Sequence, residues 1–266
     1  MKVRDAVVVV TGAGNGIGRQ LVKALVARGA KVAGVDISEK GLAETAALVP
    51  GSAFVPFAMS ITDRQAVEAL PARVAAALGP PDALINCAGI IQPFVRVAEL
   101  DLATIDHVFD VNWKGTLFMT KAFLPGFLTR PRAHVVNVSS MGGFLPVPGQ
   151  SAYGASKAAV KLFTEGLWAE LQGTNVSVTI IFPGAVGTDI VKNSGVTLAG
   201  GHETGGKASQ TLPADEAARQ IIDAMERDAF RATVGTDARV LDWLVRLAPK
   251  RATAFIASKM EDLLAH

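Results

Sequence analysis

Residues 6–18 read AVVVVTGAGNGIG: an unbroken apolar run, then glycines at positions 12, 14, 16 and 18. A solid valine run is the pattern of a strand buried on both faces. The glycines make a tight turn, and apolar residues at helical spacing follow to about Arg28. The unit then repeats along the chain. KVAGVD (31–36) reads as a second strand, with further strands near 53–58, 82–86, 133–139, 175–182 and 230–235. Helical periodicity fills 39–48, 63–78, 101–128 and 151–172, and another helix opens at Pro213. Strand and helix in alternation predict an α/β architecture: a doubly wound parallel sheet with helices on both faces. No linker-like composition and no internal repeat interrupts it, so residues 1–266 are expected to form a single domain.

Composition narrows the function classes. Of 266 residues, half are hydrophobic and 19% are charged, below the roughly 25% of ordinary soluble domains. Much surface is therefore buried, in a core or between subunits. Basic (26) and acidic (24) residues nearly balance, which gives no footprint for nucleic acid. One cysteine, Cys87, excludes an intrachain disulfide and fits a reducing, cytoplasmic setting. Glycines cut the N-terminal valine run before it could serve as a signal segment. No stretch approaches the roughly 18 apolar residues of a membrane span. His107, His134, His202 and His266 show no ligand spacing, so no metal site is expected.

The glycine order is informative. Gly12 and Gly14 would need a glycine at 17 for the common G-x-G-x-x-G fingerprint, and that residue is Ile17. The pattern that fits is Gly12-x-x-x-Gly16-x-Gly18. Without Cβ atoms, such a turn lets backbone N–H groups and a helix N-terminus approach a pyrophosphate. Glycines alone also fit a plain strand-to-helix turn; the buried strand before and the helix after favour the dinucleotide. Asp36 ends the second strand, where a carboxylate accepts from ribose hydroxyls and repels a 2′-phosphate. The alternative is that Asp36 caps the helix near Glu39. Ile37 follows it and Asn15 sits in the turn, so no cation is placed for that phosphate. The charges favour NAD over NADP.

Tyr153 is the only tyrosine. On a helix, Lys157 lies on the same face at i+4. An ammonium nearby lowers a phenol's pKa from its ordinary value of about 10. The competing reading is a buried tyrosine beside a surface lysine on an ordinary helix.

With Gly12-x-x-x-Gly16-Ile17-Gly18, Asn86-Cys87-Ala88-Gly89, Asn112, Ser140, Tyr153-x-x-x-Lys157 and Pro183-Gly184, the chain resembles the classical short-chain dehydrogenases/reductases from about residue 6 to 235. The resemblance implies a Rossmann sheet with a seventh strand and hydride transfer at nicotinamide C4. It implies Tyr153 as general acid/base, Lys157 as its pKa depressor and ribose ligand, Ser140 as the group orienting substrate oxygen, and Asn112 as holder of a relay water. Gly12, Asn15, Gly16, Ile17, Gly18, Asp36, Ser60, Ile61, Asn86, Ala88 and Gly89 would hold the cofactor together with Tyr153 and Lys157. Pro183 and Gly184 would lay down the nicotinamide, with Val186 and Thr188 on its carboxamide. Two positions depart from the family pattern: Cys87 replaces an asparagine, and Ser60 replaces an acidic adenine contact. Ser139, next to Ser140, and Cys87 read as strand-end and core residues.

Substrate contacts are expected from Ile91, Gln92 and Phe94, from Met141, Phe144, Leu145 and Val147, from Ser140 and Tyr153, and from a mobile loop over 184–212 that holds seven glycines. Most are apolar, with no arginine placed to clamp a carboxylate, so the expected substrate is a neutral, fairly hydrophobic secondary alcohol or ketone; Arg96 and Lys192 are the nearby cations that would argue against it. The Tyr153 helix is apolar on more than one face, which calls for a second cover. A homodimer or homotetramer through it and the 101–128 helix is expected, or else coverage by the C-terminal segment. That segment, 236–266, is an expected helical extension. Val240, Leu241, Leu244, Val245 and Leu247 are helix-spaced, Pro249 breaks the run, and a second helix spans 251–264. Its cations Arg239, Arg246, Lys250, Arg251 and Lys259 fit solvated charges, or binding at an anionic membrane surface. The functional alternatives are a non-catalytic NAD(H)-binding sensor and a membrane-surface dehydrogenase of lipid-like substrates.

Overall fold

The computed structural model describes residues 1–188, 190–194, 196 and 211–259. Seven parallel strands form the main sheet: β1 (Val7–Thr11), β2 (Lys31–Asp36), β3 (Phe54–Ala58), β4 (Ala83–Asn86), β5 (Ala133–Val138), β6 (Val176–Pro183) and β7 (Arg231–Val234). Their order is β3-β2-β1-β4-β5-β6-β7. The chain winds outward from β1 in one direction, then returns and winds outward from β4 in the other. The switch falls between β1 and β4, where the carboxyl ends of such strands open a crevice.

The helices are α1 (Gly16–Ala27), α2 (Glu39–Ala46), α3 (Arg64–Leu78), α4 (Leu102–Phe109), α5 (Thr116–Leu128), α6 (Ser151–Glu170), α7 (Ala214–Glu226), α8 (Thr236–Leu247) and α9 (Pro249–Lys259). The two-residue alternation of a strand sends β1 side chains to two cores. Val8 and Val10 join Leu21, Val22 and Leu25 of α1 and Ile221, Ile222 and Met225 of α7. Val7 and Val9 join Val67 and Leu70 of α3, Met119 and Phe123 of α5 and Leu167 of α6. Burial on both faces is why β1 is valine throughout.

Three expectations change in detail. The long helix over 101–128 is interrupted: residues Asp110–Gly115 form a π-helical turn between α4 and α5. Such turns insert one residue into the helical ladder and redirect neighbouring groups. Pro213 stands just before α7 rather than inside it, and the pair Leu212–Pro213 bridges to Val186–Gly187. The stretch 184–212 also holds one helical turn, Ile190–Asn193. The rest of that expected loop (189, 195 and 197–210), and residues 260–264 of the last expected helix, lie outside the described residues.

The described part of the C-terminal segment leaves one face of α6 uncovered, against one of the two expectations for that helix. Leu162 on α6 stays 70% exposed. Trp168, also on α6, packs against Phe230 with ring centroids 4.7 Å apart and the rings tilted by 52°.

Gly34 in β2 has a steric reason. A Cβ there would lie 2.4 Å from the ring of buried Phe54 and 2.9 Å from Ala13 Cβ. Gly34→Ala should therefore destabilise the protein by about 1–3 kcal/mol, the usual effect of overpacking, read as a lower urea midpoint with an unchanged slope.

Candidate active site

Thr11, the last residue of β1, ties the two sides of the crevice. Its Oγ1 accepts from the N–H groups of Cys87 and Ala88, each at 3.0 Å. The turn that follows is built on close backbone approach. Gly12 has φ +73°, and a Cβ on Gly18 would stand 1.9 Å from the Gly12 carbonyl oxygen. Helix α1 starts at Gly16 with no side-chain cap from Asn15 and no acidic residue in its first turn. Its first N–H groups and the positive end of its dipole are thus free for an anion.

Asp36 closes the next corner. Its Oδ2 accepts from Gly14 N at 2.8 Å and its Oδ1 from Ser38 N at 2.9 Å. The capping alternative for Asp36 is not what the structure has: Ser38 caps α2, its Oγ accepting from Gly41 N. Arg19 braces the turn from behind, its Nε donating to Gly14 O at 3.1 Å while Nη2 pairs with Glu44 at 2.7 Å. Sequence reading passed over Gly14 and Arg19. The fingerprint does not use Gly14, and Arg19 looks like a surface helix residue until α2 is packed beside it.

A single cavity of about 1390 Å³ runs from this corner to Tyr153. Gly12, Asn15, Gly16, Ile17, Gly18 and Asp36 line it, as do Ser60, Ile61, Ala88 and Gly89. At the far end stand Ser140, Tyr153, Lys157, Pro183, Gly184, Val186 and Thr188. Ser60 already shares its hydroxyl with Thr62, 2.8 Å away. Asn86 is the cofactor contact the structure moves elsewhere. It is buried, and its Nδ2 donates to Asn137 Oδ1 at 2.8 Å and Thr120 Oγ1 at 3.2 Å. That side chain holds β4, β5 and α5 together instead.

The Tyr153 end of the cavity is assembled from several elements. Ser139 is spent on structure, its hydroxyl donating to Lys157 O at 2.8 Å. Ser140 follows with its Oγ toward the cavity, accepting from Gly142 N at 3.1 Å. Asn112 sits in the π-helical turn and does not line the cavity. It bonds both main-chain groups of Ile90 at 2.9 Å and donates to Ser156 Oγ at 3.0 Å. Ser156 in turn donates to Tyr153 O at 2.7 Å. One acceptor site on Asn112 Oδ1 is left for a water.

Burial dominates the titrations. It pushes the Tyr153 phenol above its ordinary value, and a hydrogen bond with Ser140 pulls it back. This corrects the expectation that Lys157 sets that pKa: the Lys157 ammonium is directed at Val138 O, 3.2 Å away. Burial pulls Lys157 itself down to about 8. Cys87 is pushed up to about 12, again by burial, which suits a spectator thiol.

The substrate contacts divide. Ile91, Phe94, Met141 and Val147 line the cavity beside Tyr153. Gln92, Phe144 and Leu145 do not. Gln92 is fully buried as a strut, its Oε1 accepting from Tyr153 N at 2.9 Å and its Nε2 donating to Gly149 O at 2.9 Å. Phe144 packs edge-on against Phe182, 5.3 Å between centroids, and Leu145 has no exposed surface. Position along the chain suggested all three for the pocket, and in all three packing or internal hydrogen bonding wins. His107, Gln150 and Asn193 line the cavity unannounced by any motif. Among the described residues no His/Cys/Asp/Glu group could hold a metal, and no helix is long and apolar enough to cross a membrane.

Backbone donors at a glycine turn, an uncapped helix start and a ribose-ready carboxylate at one end fit a dinucleotide. Gly18, where even one methyl would collide, is the sharpest sign of that cradle. The comparisons agree. The family model described as short chain dehydrogenase matches residues 6–198. "Probable oxidoreductase EphD" of Mycobacterium tuberculosis is 35% identical over 265 residues, covering 94% of this chain and 45% of that protein. The chain thus spans about half the length of that relative. A short chain dehydrogenase from Burkholderia cenocepacia, solved with NADP, superposes with a TM-score of 0.81 at 28% identity, over 96% of this chain and 99% of that one. Another from Burkholderia phymatum, solved with NAD, gives 0.81 at 25% identity, over 93% and 96%.

The buried lysine sets a pH test. Lys157 binds its proton less tightly folded (about 8) than unfolded (ordinary value 10.5). Between those values the unfolded chain holds more protons, so this group's penalty stands in full below about pH 8 and fades as pH rises. Against Lys157→Met, the wild type should gain roughly 3 kcal/mol of stability from pH 7 to 10.5, measured by urea denaturation without cofactor. A pH-independent difference between the two proteins would show that Lys157 is not desolvated.

Proposed function

The chain belongs to the short chain dehydrogenase family of oxidoreductases, and on that premise we propose that it is an NAD-dependent enzyme acting on the CH–OH group of a neutral, fairly hydrophobic secondary alcohol, or on the corresponding ketone. The observation that carries this reading is one cavity that joins the glycine turn and Asp36 to Ser140, Tyr153 and Lys157. When bound, the nicotinamide accepts or supplies the hydride.

The chain's own residues handle the proton. Ser140 holds the substrate oxygen beside the Tyr153 hydroxyl. Tyr153 takes the proton from an alcohol, or gives it to a carbonyl, as the carbon centre changes oxidation state. Lys157, with its pKa brought down to about 8 by burial, can exchange a proton near neutrality. Asn112 acts on this set by position: through Ser156 it fixes the first turn of α6, where Tyr153 stands. General acid/base assistance of this kind is worth about 10²–10⁴-fold.

Asp36 supports NAD over NADP. Its carboxylate lines the cavity while accepting from Gly14 N, and among the described residues lining that corner none is a cation that would pair a 2′-phosphate. The substrate class rests on the lining near Tyr153. Ile91, Phe94, Met141, Val147 and Val191 are apolar, and no arginine is among the described lining residues. A second cavity of about 380 Å³ adjoins this region and shares Ile91, His107 and Val196 with it, leaving room for a bulky substrate. Uncovered Leu162 on α6 and half-exposed Leu128 on α5 support assembly with a second copy.

Tyr153→Phe should keep NADH affinity within about twofold and lower turnover by at least about 10²-fold, followed by reduced-cofactor absorbance with a panel of secondary alcohols. A mutant that retains most of its turnover overturns the mechanism. Asp36→Ala should narrow the NAD-over-NADP preference about tenfold, roughly the 1.4 kcal/mol of one lost charge repulsion, read as the ratio of the two kcat/KM values. An unchanged ratio would remove the cofactor assignment.

A further inference from the structure

We propose that Asp237, in the first turn of α8, is a positioning residue for the nicotinamide end of the cofactor. The proposal rests on the reading of 183–188 as the nicotinamide turn. Asp237 lies beyond the span matched by the family model, which ends at 198, in the C-terminal segment for which the sequence suggested a cover for the Tyr153 helix, solvated charge or a membrane surface.

The contact is specific. Asp237 Oδ2 accepts from Ala185 N at 2.8 Å. A Cβ on Gly184 would find the Asp237 carboxylate as its three nearest atoms, at 2.2–2.5 Å, and a Cβ on Gly235 would lie 2.5 Å from Oδ1. The carboxylate is thus wedged against two glycines, and it reaches the turn only because both lack side chains. Main-chain bonds hold the same dipeptide on other sides. Gly184 N donates to Val234 O, and Leu212 N donates to Ala185 O, each at 2.9 Å.

Asp237 is held in turn by the anchoring of its helix. Asp242, further along α8, pairs with Arg231 of β7, and the Arg231 guanidinium lies 4.2 Å from the centroid of Phe182. Gly184, Ala185 and Val186 line the cavity, whereas Asp237 does not. The carboxylate therefore stands behind the turn. In a trans peptide the Ala185 N–H and the Gly184 C=O point in opposite directions. Drawing the N–H back to Asp237 turns the carbonyl toward the cavity. A charge-assisted hydrogen bond is suited to hold that plane.

The test separates the two ends of the cofactor. NADH and ADP-ribose, which lacks the nicotinamide, are titrated by calorimetry against the full chain and its variants. Asp237→Ala should weaken NADH about tenfold and leave ADP-ribose within twofold. Asp237→Asn, which keeps an acceptor oxygen for Ala185 N, should bind both within twofold of wild type. Equal weakening of both ligands by Asp237→Ala would mean general loosening and would overturn the proposal, as would unchanged NADH affinity. Gly184→Ala gives a second arm that does not depend on how well Asp237→Ala folds. It should weaken NADH selectively, and adding Asp237→Ala should make NADH binding no weaker, because the added methyl then has room. Strictly additive losses would count against the wedge. A wild type that binds NADH no more tightly than ADP-ribose would instead remove the reading of 183–188 as the nicotinamide turn, and the proposal with it.

Discussion

The Cα of Gly18 packs so tightly on the turn before it that a methyl group there would stand 1.9 Å from the Gly12 carbonyl oxygen. That one approach fixes how α1 leaves β1. With α1 laid down, Leu21, Val22 and Leu25 can only face Val8, Val10 and the apolar stripe of α7. The same approach leaves the floor of the cavity made of main chain, with the start of α1 uncapped and aimed into it. Stability and ligand binding thus share a constraint. A side chain at position 18 would push α1 off the sheet and close the cradle in one step.

Polar ties inside the apolar core place the other end of the cavity. Asn86, Asn137, Thr120 and Thr164 form a chain across β4, β5, α5 and α6. Asn112 and Ser156 form another between the π-helical turn and α6, and Gln92 joins the loop after β4 to Tyr153 N. Buried polar groups are costly unless bonded, and once bonded they tolerate few alternative arrangements. An apolar α6 alone could slide or rotate on the sheet at little cost. These bonds fix its register, so Tyr153 is set beside Ser140 rather than merely near it.

What could be read from the residues follows from the same physics. The valine run, the strand–helix alternation and the glycine spacing report local geometry, and every main strand lies where those patterns put it to within a residue or two. The placement of Gly12, Asp36, Ser140, Tyr153 and Lys157 on one cavity was also legible: the first three stand at or just past the carboxyl ends of strands, Tyr153 is in the first turn of α6, and Lys157 lies one turn further on the same face. Orientation was not. Gln92, Phe144, Leu145 and Asn86 have the right residue types at the right distance along the chain, but Gln92, Leu145 and Asn86 are buried in the interior and Phe144 packs against Phe182. Lys157 was assigned to the Tyr153 titration by i, i+4 spacing, yet its ammonium turns to a carbonyl of β5. The grip of Asp237 on Ala185 joins residues 52 apart, and no periodicity or motif marks it.

Lys157 shows why such a site stays open to ligands. Its ammonium is buried with one main-chain acceptor and no carboxylate partner among the described residues. A buried cation with so little compensation destabilises the fold, and burial expresses this by drawing its pKa down to about 8. A better-packed protein would have replaced it. Any ligand that sets oxygen acceptors against Nζ relieves that penalty, so its binding energy includes part of what folding lost. It also favours the charged form, so such binding raises the lysine's pKa and is linked to proton uptake.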